Sequence, residues 1–126
     1  MEGTIIESQK ILEIAVKAAD SKRAEDLVAL DVRNISLLAD YFFICQANSE
    51  RQINAIVAEI VEQEAKQQVA IQRVEGKEGG KWVLIDLGDV VVHVFQASER
   101  SFYNLEKLWS DAPLVNLEAW VTADGL

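Results

Sequence analysis

The segment Gly79–Phe95, which reads GGKWVLIDLGDVVVHVF, places the strongest constraint on what this chain can fold into. Two apolar runs, KWVLID and DVVVHVF, flank a turn that carries Leu87 and Gly88. They predict a β-hairpin, because glycine supplies the positive φ that such a turn requires. A sheet with one face in water would alternate apolar and polar residues, so we expect both faces of this hairpin to be covered. The apolar positions that lack this alternation are Val83, Ile85, Val90, Val91, Val92 and Val94.

The length of the chain limits how both faces can be covered. A chain of 126 residues is expected to form one domain and to bury about two-thirds of its unfolded surface. Helices in so small a domain can cover one face of a sheet. The other face, or an edge of the sheet, then requires a partner chain.

Two helices are predicted from capping boxes, in which a serine or threonine is followed three residues later by a glutamate or glutamine. Thr4 and Glu7 have this spacing, and apolar residues at helical intervals extend the first helix to Ala19. Ser49 and Gln52 begin the second helix in the same way. Its apolar stripe consists of Ile53, Ile56, Val57, Ile60 and Val61.

Three further strands are predicted from short apolar or β-branched runs at Glu25–Val32, Asp40–Ala47 and Val69–Val74. The run ERSFYNLEKLW predicts a third helix that ends before Pro113 and carries Phe102, Leu105 and Trp109 on one face. This order of elements predicts an α+β or α/β fold, in which a mixed sheet of about five strands packs with helices. We expect a domain over residues 1–110 and a C-terminal extension over 111–126, where the apolar residues show no clear period.

The charge of the chain bears on its partners. Twelve lysines and arginines stand against 21 aspartates and glutamates, which gives a net charge of −9. A surface this acidic repels phosphate backbones, so no direct contact with nucleic acid is expected, and a basic protein is the favoured partner. Cys45 is the one cysteine and has no partner for an internal disulfide, which fits a reducing compartment. An acidic N-terminus and the absence of a membrane-length apolar run predict a cytoplasmic chain without membrane contact.

A metal or catalytic site could be formed by Asp86, Asp89 and His93. The sequence argues more strongly against a zinc site than against a magnesium site. Zinc sites use four ligands, mostly cysteine and histidine, and the chain has one of each. A magnesium site needs only one or two carboxylates. Two acids aimed at one metal from a single strand would lie at i and i+2, whereas Asp86 and Asp89 lie at i and i+3 across the turn.

A nucleophilic pair of Cys45 and His93 is formally possible. Both residues lie within apolar strands, where a small buried cysteine and a hydrogen-bonded core imidazole are the commoner interpretation. We therefore predict no catalytic residues, no bound metal and no cofactor. Trp82 is either an interface anchor or part of the core. The sequence leaves open whether it shares a face with His93, because two-residue and three-residue turns give opposite registers.

Three motifs together resemble the ribosomal silencing factor (Iojap-like) family: DYFFICQANSERQINAI, GGKWVLIDLGDVVVHVF and RSFYNLEKLW. The resemblance covers residues 7–109. It implies a fold similar to that of nucleotidyltransferases, without their catalytic motif and without enzymatic activity. It also implies binding to the large ribosomal subunit through large-subunit protein fourteen, which blocks joining of the small subunit and represses translation when nutrients are limiting.

The family motifs fall on specific residues of this chain. The resemblance implies Trp82 as an apolar anchor, Asp86 and Asp89 as acidic contacts, and Tyr103 as a further contact on the third helix, while His93 is expected to be structural. The doubly apolar hairpin predicts that the free chain self-associates as a homodimer. The competing hypotheses are a nucleotidyltransferase-fold enzyme that uses Asp86 or Asp89 with magnesium, and a scaffold whose covered face is only a homodimer contact.

Overall fold

The computed structural model describes residues 7–76, 81–98 and 111–121, which form a five-stranded mixed sheet with helices packed on it. Tyr103 and the rest of the predicted third helix lie outside these residues. No helix in the described ranges is long and apolar enough to cross a membrane. The elements are α1 (Ser8–Ser21), β1 (Glu25–Asp31), β2 (Tyr41–Ala47), α2 (Glu50–Lys66), β3 (Arg73–Glu75), β4 (Trp82–Asp86), β5 (Val90–Gln96) and a short 3-10 helix (Glu118–Trp120).

The strands lie in the order β1-β2-β5-β4-β3. Strands β2 and β5 pair in parallel, whereas the β1–β2, β5–β4 and β4–β3 pairs are antiparallel. Both α1 and α2 pack against the central strands. The predicted α+β fold with a mixed sheet of about five strands is therefore confirmed.

The sheet buries apolar side chains on both faces. Alternate residues of β2, β4 and β5 point towards α1 and α2, and we call this side the helical face. The intervening residues lie on the other side, which we call the opposite face. Val83 and Val94 are fully buried on the helical face, and Ile44 and Phe95 are equally buried on the opposite face. This double burial confirms the prediction that both faces of the hairpin are covered. The expectation that the second face requires a partner chain is wrong for Ile44 and Phe95, because one chain buries both of them.

Residues 113–115 extend the sheet at its β1 edge. Leu30 and Leu114 form an antiparallel bridge. The Asp31 N–H donates to the Pro113 carbonyl at 2.9 Å, and the Val115 N–H donates to the Ala29 carbonyl at 2.9 Å. These bonds occupy backbone groups that an edge strand would otherwise leave unpaired.

The predicted start of the first helix is wrong. Glu7 is the N-cap rather than a residue of the first turn, and its φ of −66° and ψ of 149° are extended. Its carbonyl accepts the first helical N–H groups, those of Lys10 and Ile11, so the helix begins at Ser8. Thr4 lies outside the described residues. At the second helix the prediction is confirmed, because the Ser49 side chain accepts a hydrogen bond from the Gln52 N–H at 3.1 Å.

The predicted strand Val69–Val74 is also wrong in extent, since the structure forms β3 only over Arg73–Glu75. Gln68 has a φ of 66°, which turns the chain sharply at the end of α2. The Val69 N–H then donates back to the Glu64 carbonyl at 3.0 Å. Val69 packs in the core beneath the helix end, so its apolar character reflects packing there rather than a place in the sheet.

Glu64 is a buried acid in the last turns of α2. Its side chain has no exposed surface, and neither carboxyl oxygen has a hydrogen-bond partner among the described residues. Burial raises the pKa of the Glu64 carboxyl from its ordinary value of 4.5 to about 8. The carboxyl is therefore protonated in the folded protein at neutral pH.

Replacing Glu64 with glutamine should remove a pH dependence from the stability. The Glu64 carboxyl holds its proton more tightly in the folded state than in the unfolded state. The protonated carboxyl therefore contributes fully to the free energy of unfolding below pH 4.5, and this contribution is lost as the pH rises to about 8. Urea denaturation across this range should show the wild type losing up to about 1.4 kcal/mol per pH unit relative to Glu64→Gln. Glu62→Gln is the control, because that side chain is 59% exposed on the same helix. Parallel pH profiles for wild type and Glu64→Gln would contradict this account.

Candidate functional site

The β4–β5 hairpin closes with a two-residue turn. The last pair of the ladder is Asp86 with Val91, and the Leu87 N–H donates to the Val90 carbonyl at 2.9 Å. The central residues are therefore Gly88 and Asp89, one position later than the Leu87-Gly88 turn predicted. Gly88 has a φ of 88°, the left-handed value that glycine adopts without strain. The Asp86 Oδ1 accepts a hydrogen bond from the Gly88 N–H at 2.9 Å and braces the turn.

This register decides which face carries Trp82. A two-residue turn pairs Trp82 with Phe95 and Leu84 with His93, so the side chains of these four residues share one face. They lie on the opposite face, away from α1 and α2. The open question of whether Trp82 and His93 lie together is thereby answered.

Four rings form an aromatic cluster on the opposite face: Phe42, Trp82, His93 and Phe95. The Trp82 and Phe95 rings stack with centroids 5.4 Å apart, and the Trp82 and His93 rings stack at 5.8 Å. Phe42 meets His93 edge to face at 5.9 Å. Such pairs add to the stability that burial alone provides. Trp82 is partly buried in the cluster and keeps some surface open to solvent.

A hydrogen bond fixes the tryptophan and the histidine relative to each other. The Trp82 Nε1–H donates to the His93 Nδ1 at 3.1 Å. Since that nitrogen is the acceptor, a neutral His93 carries its proton on Nε2. Burial lowers the pKa of His93 from its ordinary value of 6.5 to about 4. His93 is thus neutral at physiological pH, and its contacts are those of a structural residue.

The strand register separates the two residues of the possible nucleophilic pair. Ile44 is the partner of His93 in the ladder, and Cys45 is the partner of Val94. Neighbouring residues of a strand point to opposite faces, so Cys45 lies buried on the helical face while His93 lies in the aromatic cluster. The structure does not bring this thiol and this imidazole together.

The two predicted acidic contacts have different surroundings. The second oxygen of Asp86, Oδ2, lies 3.5 Å from the Arg73 guanidinium, so both carboxylate oxygens are near donors. Asp89 is exposed, and its carbonyl accepts hydrogen bonds from the Asp40 and Tyr41 N–H groups at 2.7 Å and 3.2 Å. Within the described parts of the chain, no three histidine, cysteine, aspartate or glutamate side chains are grouped so that they could hold a metal ion.

Sequence reasoning missed two parts of this region. The places of Phe42 and Phe95 in the aromatic cluster depend on the parallel register of β2 and β5, for which the sequence carries no local signal. The loop between β1 and β2 exposes Ile35, Leu37 and Leu38. Its run of apolar residues between two strand signals was visible in the sequence and could have indicated a surface patch.

The fold and this surface define the class of protein: an α+β domain whose mixed sheet carries an ordered, partly exposed aromatic cluster on the face opposite its helices. Residues 5–125 match the family model described as ribosomal silencing factor during starvation. The chain belongs to this ribosomal silencing factor family, as the resemblance of its three motifs predicted.

Relatives and solved structures agree with this assignment. The ribosomal silencing factor RsfS of Halalkalibacterium halodurans is 54% identical over 115 residues, which span 91% of this chain and 98% of that protein. The RsfS of Bacillus subtilis is 56% identical over 110 residues, spanning 87% and 93% of the two chains. A crystal structure of a protein from Bacillus halodurans matches with a TM-score of 0.78 at 53% identity, covering 86% of this chain and 99% of that one.

The protonation of His93 can be followed by NMR without assignment of other residues, because it is the only histidine in the sequence. We expect its imidazole signals to stay unchanged from about pH 8 to pH 5.5, since its pKa is about 4. The depressed pKa stabilises the fold above pH 6.5, and this contribution is lost as the pH falls towards 4. Trp82→Ala should expose the His93 imidazole and remove the N–H that donates to it, so the pKa of His93 should rise towards 6.5. Trp120→Ala is the control, because Trp120 packs against the helical core. A wild-type histidine that titrates near 6.5 would contradict the buried placement.

Proposed function

We propose that this chain binds the large ribosomal subunit through large-subunit protein fourteen and sterically blocks joining of the small subunit. By doing so it represses translation in the cytoplasm under nutrient limitation. The observation that carries the proposal is the match of residues 5–125 to the ribosomal silencing factor family. More than half of the aligned residues are identical in the RsfS proteins of Halalkalibacterium halodurans and Bacillus subtilis.

The proposed contact surface is the hairpin together with the third helix. Trp82 is the apolar anchor, Asp86 and Asp89 are acidic contacts, and Tyr103 is a further contact. Two observations support the tryptophan. Its ring is stacked and hydrogen-bonded in place, so little side-chain entropy would be lost on binding. Trp82 is also only partly buried, and tryptophan is enriched among the residues that dominate interface energies.

In this mechanism the protein only has to cover the subunit-joining surface of the large subunit, and no chemical step is needed. A protein that covers the subunit-joining surface blocks assembly by mass action, so the block depends on its concentration and affinity alone. No nucleotide, metal or cofactor takes part. The net charge of −9 supports a basic protein as the contact, since complementary fields steer the encounter.

The free chain is proposed to self-associate as a homodimer through the same hairpin surface. If one surface serves both contacts, dimer formation and ribosome binding compete. The partial burial of Trp82 within one chain is compatible with such an exchange.

Co-sedimentation with separated ribosomal subunits tests the function. Purified protein should pellet with large subunits, not with small subunits, and should lower the fraction of joined ribosomes without added nucleotide. Trp82→Ala should weaken large-subunit binding at least about thirtyfold, because truncating an interface anchor typically costs about 2 kcal/mol or more and each 1.4 kcal/mol is about tenfold.

Trp120→Ala is the matched control for that variant. It removes the same side chain from a partly buried position that packs against the helical core. Both variants should remain folded at the assay temperature, as judged by thermal melting. Equal binding of the wild type to both subunits, or a strict requirement for ATP, would refute the proposed function.

The acidic contacts should act mainly on the rate of association. Asp86→Asn combined with Asp89→Asn should slow binding at low salt and flatten its salt dependence, with little change in melting temperature. Asparagine keeps an oxygen that can accept the Gly88 N–H, so the turn should survive. Glu50→Gln and Glu62→Gln together form the control, because they remove two exposed charges from α2. An association rate for the double variant equal to that of wild type across all salt concentrations would show that these acids take no part.

A further inference from the structure

The loop between β1 and β2 presents large apolar side chains to solvent. Ile35 is 45% exposed, Leu38 is 86% exposed, and Leu37 is exposed as fully as in an extended peptide, at 103%. We call residues 35–38 the apolar loop. A single exposed leucine needs no explanation, but three large apolar side chains within four residues form a patch of the kind that marks interaction sites.

Hydrogen bonds within the chain hold the apolar loop in shape. The N–H groups of Ile35 and Ser36 donate to the Val32 carbonyl at 3.0 Å and 2.8 Å. The Leu38 N–H donates to the Ser36 Oγ at 3.0 Å. The backbone is therefore turned so that both leucines point outwards, and a partner would meet an ordered surface.

The apolar loop lies at the same end of the sheet as the hairpin turn. Asp40, the second residue after the loop, donates its N–H to the carbonyl of Asp89 at 2.7 Å, and the Tyr41 N–H donates to the same oxygen at 3.2 Å. Tyr41 also pairs with Val90, the first residue after the turn. Trp82 is at the other end of β4, about 13 Å from Asp86 at the usual rise of a strand. The apolar loop would thus extend a surface that begins at Trp82.

Several carboxylates lie at the same end of the sheet as the apolar loop. Asp31 and Asp40 lie at the ends of the strands that the loop connects, and Asp86 and Asp89 lie at the hairpin turn. Arg33, the guanidinium within the loop segment, is bound by Asp31 at 2.6 Å and lies over the Tyr41 ring.

The second guanidinium at this end of the sheet belongs to Arg73. It is shared between Glu75 at 2.7 Å and Asp86 at 3.5 Å. We call these carboxylates and the two guanidinium groups the rim of the apolar loop. Over the residues that the structure describes, this rim is net acidic.

The negative charge of the rim indicates which kind of partner can bind the apolar loop. An RNA backbone or an anionic lipid surface would be repelled by the acidic rim. An apolar centre within an acidic rim is complementary to a protein surface with an apolar hollow and basic residues around it.

We propose that the apolar loop docks into such a hollow on a basic protein, next to the contact made by Asp89. The inference rests on the proposed function, in which that protein belongs to the large ribosomal subunit. It adds a second apolar contact at the far end of the hairpin from Trp82.

Leu37→Ser combined with Leu38→Ser tests the loop directly. Both side chains are solvent-exposed, so the melting temperature should not change, while large-subunit binding should weaken about tenfold or more through lost apolar contact. Leu114→Ser is the control, because Leu114 is a leucine exposed to 74% that bridges Leu30 at the β1 edge of the sheet and is not part of the loop. It should bind as wild type does.

Cross-linking from the loop identifies what it touches. Cys45 is the only cysteine in the sequence and is fully buried, so Leu37→Cys creates one reactive thiol for a maleimide-benzophenone label. On purified large subunits the label should cross-link to a basic ribosomal protein after illumination. The same label at Glu50→Cys, exposed at the start of α2 and at the other end of the sheet, should give no such product.

The outcomes separate this inference from the proposed function. If the wild type binds large subunits and the double serine variant binds equally well, the loop is not a contact, although the proposed function stands. Cross-linking to ribosomal RNA, or loop-dependent binding to phosphatidylglycerol vesicles, would also overturn the inference. A wild-type protein that fails to bind large subunits refutes the proposed function and this inference with it.

Discussion

The parallel pairing of β2 with β5 is the constraint on which the rest of the structure depends. Parallel neighbours cannot be joined by a tight turn, so the chain must make a long connection between them. Here that connection contains α2, β3 and β4, and β4 then returns through the two-residue turn to place β5 at the centre of the sheet. The neighbouring strands cover both edges of β5, and side chains pack on both of its faces, which explains why β5 is apolar almost throughout.

Two buried polar side chains, His93 and Glu64, avoid carrying a charge in different ways. On the opposite face, His93 is neutral and accepts a hydrogen bond from Trp82, so the imidazole is compatible with its apolar neighbours. On the helical side, Glu64 has no such partner among the described residues and is protonated instead. The hydrogen bond orders Trp82, which is only partly buried, whereas the unpartnered Glu64 carboxyl reduces stability at neutral pH. The aromatic cluster therefore contains both buried core residues, such as Phe95, and the partly exposed Trp82.

The same topology sets the geometry of the proposed binding surface. Trp82 and the hairpin turn lie at the two ends of β4, and the β1–β2 loop is tied to the turn by hydrogen bonds to the Asp89 carbonyl. Apolar groups thus occur near both ends of one hairpin, and the carboxylates of Asp86 and Asp89 lie at the turn end. For a member of the ribosomal silencing factor family, such a surface can work by shape, burial and charge alone. A rigid sheet suits this role because it holds distant contacts in a fixed relation.

Local patterns determined much of this protein. The α+β class, the second helix with its Ser49 cap, the strands β1 and β2, the hairpin and the burial of both its faces all followed from side-chain periodicity and turn chemistry, which act over a few residues. Family membership followed from three motifs in order. Where local signals were ambiguous, prediction was wrong: Glu7 caps the first helix instead of lying within it, and Val69 packs beneath α2 instead of joining β3.

Only the tertiary structure decided which side chains meet. The face shared by Trp82 and His93, the separation of Cys45 from His93, and the approach of the β1–β2 loop to the hairpin turn all depend on strand register. Register is a long-range property. A shift of one residue moves every side chain to the other face while leaving the local pattern of the sequence unchanged.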